Sequence, residues 1–170
     1  MSPMVEFLSM TIFPALMIVA GAGDALSMRI PNWLTLLIAA LFLPMAIATG
    51  MSWSDIGVHL LTGLAMFVLG FIIFAMRLFG GGDAKLLAAA ALWLGWPDLM
   101  PFLVMTAFAG GLLALCVGLW ALVSQNSEIR DGSLFRRFGA IKPNVPYGYA
   151  FAIGAILAFP ESWWMSAIGA

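Results

Sequence analysis

The sequence predicts an all-α integral membrane protein, a polytopic bundle of six transmembrane helices with both termini outside. Three observations carry that expectation. Of its 170 residues 64% are hydrophobic and only 9% charged, far from the balance of a soluble domain. Six apolar segments alternate with short stretches of turn chemistry. When those segments are threaded back and forth, every Lys and Arg falls on one side. The whole chain, 1–170, reads as a single membrane-embedded domain.

The first segment runs from about Val5 to Gly23. No Lys or Arg precedes it, and it is longer than the core of a signal peptide. It therefore reads as a retained span, although Ala20-Gly21-Ala22 looks like a cleavage site. Arg29-Ile30-Pro31-Asn32 turns the chain into the second segment, Trp33 to Thr49, and Gly50-Met51-Ser52 leads to the third, Ile56 to Met76. Gly80-Gly81-Gly82 opens the fourth, Ala84 to Trp96. Its 13 residues rise only about 20 Å against a hydrocarbon core of about 30 Å, so it is either tilted and extended by Gly82-Asp83 or starts below the surface. Pro97-Asp98 separates it from the fifth, Leu99 to Val123, and the polar stretch Ser124 to Asn144 from the sixth, Val145 to Ile168.

Six spans put odd and even loops on opposite sides. Arg29 follows the first span, Arg77 and Lys85 flank the third loop, and Arg130, Arg136, Arg137 and Lys142 lie in the fifth. The other side holds Glu6, Asp55, Asp98 and Glu161 without one basic residue. The odd loops are therefore expected in the cytoplasm. A wrong span count would scramble this partition. The net charge of -1 leaves no footprint for nucleic acid. The single cysteine, Cys116, excludes an intrachain disulfide and reads as a buried small hydrophobe.

Two aspartates stand at the cytoplasmic side: Asp24, closing Gly21-Ala22-Gly23-Asp24, and Asp83, closing Gly80-Gly81-Gly82-Asp83. They are separated by one round trip across the membrane, which returns Asp83 to the face of Asp24. Each has an ordinary role open to it. Asp83 can cap a helix start, and Asp24 can pair with Arg29. Together they offer more, because two carboxylates held close share a proton. One then serves as general base toward water and the other as general acid toward a carbonyl oxygen. The glycines let a substrate backbone approach the acids. A small transporter using membrane acids is the competing class, disfavoured because both acids lie at one face.

An aspartate ending the first span, then Arg29-Ile30-Pro31-Asn32-Trp33, then Gly80-Gly81-Gly82-Asp83-Ala84-Lys85-Leu86, and finally Val145-Pro146-Tyr147-Gly148-Tyr149-Ala150 with Ile153-Gly154 form an ordered set. In this the chain resembles the type IV prepilin peptidases of the GxGD aspartic protease class. The resemblance implies cleavage of a leader from prepilin or pseudopilin substrates, just before their hydrophobic N-terminal helix. It places the reaction at the cytoplasmic face of the bacterial inner membrane, with Asp24 and Asp83 as the catalytic pair and no cofactor. The zinc-binding domain of the long members is missing here, so the chain is similar to the short, CpaA-like peptidases that serve Flp or Tad pili, with preflagellins as the alternative substrate. Oligomeric state stays open.

Around the pair, Gly80, Gly81, Gly82, Lys85, Pro31, Asn32, Tyr147 and Gly148 are candidate substrate-binding or supporting residues. Lys85 can stabilise the ionised pair or simply anchor the helix by snorkelling. Pro31 and Asn32 have helix-start chemistry near Asp24. Tyr147 and Gly148 are candidates for the substrate groove. His59, on the outer side, has no partner for a metal site and no expected catalytic role. The tryptophans read as an aromatic belt or as packing.

Overall fold

Ser2 starts the first helix. Its hydroxyl accepts from Val5 N–H and Pro3 follows at the first helical position, so α1 runs Pro3–Ser27. Met28, in the left-handed region at φ 53°, ends it. Pro31 precedes α2 (Asn32–Ala48), and Ser52 caps α3 (Trp53–Ala75) by accepting from Asp55 N–H at 3.1 Å. Then come α4 (Gly81–Gln125), α5 (Tyr147–Ala158), a 3₁₀ turn (Phe159–Glu161) and the short α6 (Trp163–Ser166). The computed structural model describes residues 2–78, 80–125 and 147–167. Arg130, Arg136, Arg137, Lys142, Val145 and Pro146 lie outside them.

The fourth and fifth predicted segments form one element with a break. The break falls at Gly95 (φ 74°, ψ −178°), two residues before the Pro97-Asp98 turn expected from sequence. Pro97 has no N–H to return to the carbonyl of Trp93, four residues back, and the backbone at Gly95 leaves the helical path. Two side chains supply donors there. Trp164 Nε1–H donates to the Trp93 carbonyl at 2.6 Å, and His59 Nδ1–H donates to that of Leu92 at 2.9 Å. A Cβ on residue 95 would lie 2.6 Å from His59 Nε2, so only glycine fits beneath that ring. His59 thus belongs to the packing of the break, stacked on Phe42.

Phe13, Phe42, Trp93 and Trp164 fill the centre, all 1% exposed or less. Trp93 lies over Phe13 and Trp164, and its Nε1–H donates to the Ile38 carbonyl at 2.7 Å. The tryptophans therefore divide: Trp93 and Trp164 are core, whereas Trp33, Trp53 and Trp96 are exposed. Helices α3 and α4 come together where Gly70 meets Ala84, and α1 and α5 where Gly21 meets Ala152, small residues bringing backbones close. Many large apolar side chains of α3, Leu61, Leu64 and Phe71 among them, point outward. Such an inverted surface suits lipid.

Among the described residues three helices are long and apolar enough to cross a membrane: Pro3–Ser27, Trp53–Ala75 and Gly81–Trp120, with Asn32–Ala48 a shorter apolar helix. Two expectations need correction. The last predicted segment, Val145 to Ile168, is not one continuous helix within the described residues: α5 ends at Ala158, where Pro160 interrupts and a 3₁₀ turn leads to α6. Cys116 is exposed on α4 rather than buried, in a stretch of outward-facing apolar side chains.

Candidate active site

Asp24 sits in the last turn of α1 and is only 5% exposed. Its Oδ2 accepts from Gly148 N–H, at the start of α5, at 2.8 Å. A helix N-terminus carries free N–H groups and partial positive charge, so a buried carboxylate can be held there by backbone donors, here Gly148 and Tyr149. Arg29, the partner the sequence offered, lines the adjoining cavity. The approach depends on glycine: a Cβ at residue 148 would lie 2.8 Å from Asp24 Oδ2 and 2.6 Å from Ile30 Cδ1.

Asp83 lies in the first turn of α4, where its Oδ2 accepts from Gly80 N–H at 3.1 Å. Ala84 N–H donates to the Gly80 carbonyl, so Gly80 is the residue before the helix and Asp83 reaches back to it, half of a capping box. The capping role read from the sequence is thus present. Its carboxylate also lies within electrostatic reach of Asp24 and of the Gly148 N–H. Both aspartates line one cavity of about 500 Å³, walled by residues 27–32 and 80–82. The cap and the exposure to this cavity are compatible, because one carboxylate oxygen suffices for the cap.

Of the other residues singled out from sequence, Pro31, Asn32, Gly80, Gly81 and Gly82 line this cavity. Gly148 holds Asp24 through its backbone N–H. Lys85 is one helical turn or less from Asp83 and donates to Asn32 Oδ1 at 2.9 Å, tying α4 to the start of α2. Tyr147 is half-buried against the apolar core. Sequence reasoning passed over Ile30. It is 8% exposed, its Cδ1 near Gly148 and its Cβ 3.2 Å from where a Cβ on Gly82 would be, so it spaces the segments that carry the two acids. Its signal was being the one apolar residue in Arg29-Ile30-Pro31-Asn32. Among the described residues no three His, Cys, Asp or Glu side chains gather as metal ligands.

The architecture is that of a helical membrane protein with two carboxylates on one cavity at one end of the bundle. A model of the type IV leader peptidase family matches residues 11–115, more than half the chain, and the protein belongs to that family. It is accordingly a protease, with prepilins as its substrate class. The match takes in Asp24 and Asp83 and ends before Tyr147 and Gly148. Neither the curated proteins nor the solved structures contain a match.

Proposed function

We propose that the protein is an aspartic endopeptidase whose catalytic pair is Asp24 and Asp83. On this reading it removes the leader from Flp- or Tad-type prepilins at the cytoplasmic face of the inner membrane. The observation that carries the reading is the shared cavity: two carboxylates from different helices, one held by a backbone N–H and the other by a helix cap, face the same space. Such a pair shares one proton. The ionised member takes a proton from water as it attacks the scissile carbonyl, and the protonated member donates to the carbonyl oxygen. The pair titrates as a unit. Glycines 80–82 line the cavity beside Asp83, and Lys85, bonded to the cavity-lining Asn32, sets a positive charge two residues past Asp83.

The cytoplasmic placement and a six-span topology with both termini outside are supported by the one-sided distribution of Lys and Arg. Asp24→Asn and Asp83→Asn, made singly, are each expected to lower processing of a co-expressed prepilin by at least about 100-fold while the protein still accumulates in membranes. Processing is read as the mass of the pilin N-terminus. If both variants still process, the pair is not catalytic.

A further inference from the structure

A second cavity, about 540 Å³, adjoins the acid cavity and shares Asn32 with it. It runs between α2, α3 and α4. Along α2 it extends from Asn32 to Ala39, along α4 from Lys85 to Leu92, and along α3 from Phe67 back to Leu60. Each stretch covers eight residues, seven steps of rise, so the groove descends about 10 Å from the level of the acids, about two turns of a helix. Its one polar end is the Lys85–Asn32 hydrogen bond, next to Asp83. Below that end its lining is almost wholly apolar, with Ala39 and Ala88 giving it depth. It opens sideways: Leu36 and Leu64 on its rim are 68% and 59% exposed.

We infer that this groove receives the first two turns of the prepilin's hydrophobic helix, entering sideways from the bilayer. The inference rests on the proposed reading of Asp24 and Asp83 as the catalytic pair. A bond cut just before a hydrophobic helix places that helix immediately beyond the acids, and the groove begins there. Its polar-to-apolar gradient matches a chain that is polar at the cleavage point and apolar after it. Docking there holds the scissile bond in register, which is how binding remote from the reacting atoms contributes to rate.

The test uses the full-length protein in membranes, carrying Asp83→Asn so that substrate is not consumed. Photoreactive benzoylphenylalanine is placed at position 64 or 88, with position 108 as the lipid-facing control, since Phe108 is 74% exposed. The co-expressed probe is a tagged prepilin, compared with the same prepilin whose helix is replaced by a polar Ser-rich segment. Adducts to the native prepilin from 64 and 88, absent from 108 and absent with the polar version, are expected. Adducts only to lipid or to a second copy of the protein, or equal capture from position 108, overturn the inference. In an otherwise unchanged enzyme, Ala88→Trp is expected to lower the ratio of kcat/KM for prepilin to kcat/KM for a helix-less leader peptide at least tenfold. An unchanged ratio counts against the groove. Failure of the underlying reading shows separately, as processing that survives Asp83→Asn.

Discussion

Asp24 is buried, and what makes that tolerable is the pair of backbone N–H groups of Gly148 and Tyr149 at the start of α5. A buried carboxylate left without partners costs several kcal/mol, so the position of Gly148 decides whether Asp24 can sit where it does. This gives residue 148 a role that its size alone does not reveal. Gly148→Ala adds a methyl 2.8 Å from the Asp24 oxygen and 2.6 Å from Ile30, so either α5 or the acid must move by several tenths of an ångström. A displacement of that order at a reacting group is expected to lower kcat/KM by about 10- to 100-fold, measured on purified enzyme in detergent. A variant with wild-type kinetics would mean that the Asp24 oxygen tolerates displacement. Asp83 is less dependent on any one neighbour, because its cap to Gly80 closes within its own helix turn. That difference explains what could be read at this scale. The Gly80–Asp83 string announces a helix start by local chemistry alone, whereas the contact of Asp24 with Gly148 spans 124 positions. Only the resemblance of the Val145–Ala150 stretch pointed toward it.

The helix that carries Asp83 is also the one that is broken, and the two facts are connected through the core. Between Gly81 and the break at Gly95 the α4 arm packs Leu86, Ala90, Trp93 and Leu94 inward at no more than 0% exposure. The depth at which Asp83 emerges is therefore set by where that arm is anchored. The anchor is the pair of side-chain donors on the freed carbonyls, Trp164 on Trp93 and His59 on Leu92. From sequence the interruption was legible through Pro97, but its place was not. Proline removes the N–H bond at its own position, while the backbone adopts its unusual angles where a residue without Cβ meets His59. Nor did the tryptophans reveal their division into core and surface, since an indole near a segment end suits either. Trp164→Phe keeps one six-membered ring but loses the donor and part of the buried indole, leaving a carbonyl unpaired at a cost of about 1–3 kcal/mol and adding a cavity in the core. Gly95→Ala combines a backbone region essentially confined to glycine with a clash on His59, together about 2–4 kcal/mol. Both variants are expected to unfold at lower temperature in detergent when followed by circular dichroism at 222 nm. An unchanged melting temperature in either would mean that the break is not anchored at that contact.

At the scale of the whole molecule, one end of the bundle collects the end of α1, the start of α2 and the start of α4, and the start of α5 joins them through Gly148. Arg29, Arg77 and Lys85 belong to the segments at this end, and Asp55, Asp98 and Glu161 to the turns at the other. Helix lengths alone do not orient such an object, because either end fits either side of a bilayer. Charge does, since basic residues are retained in the cytoplasm during insertion. Reading the face of the acids therefore needs the distribution of seven side chains in sequence rather than any contact in the fold. The expected outcome can be read by labelling. In a Cys116→Ser background, a cysteine introduced at Ser54 should react with a membrane-impermeant maleimide added to intact cells. One introduced at Ser27, three residues from Asp24, should react only after the cells are permeabilised. Ser27 and Ser54 suit the purpose, because both are exposed and lie at opposite ends of the bundle. Labelling of Ser27→Cys from outside would reverse the orientation and move the acid cavity away from the cytoplasm. A leader retained on the cytoplasmic side would then be out of its reach, and the assignment of Asp24 and Asp83 to leader removal would fall with it.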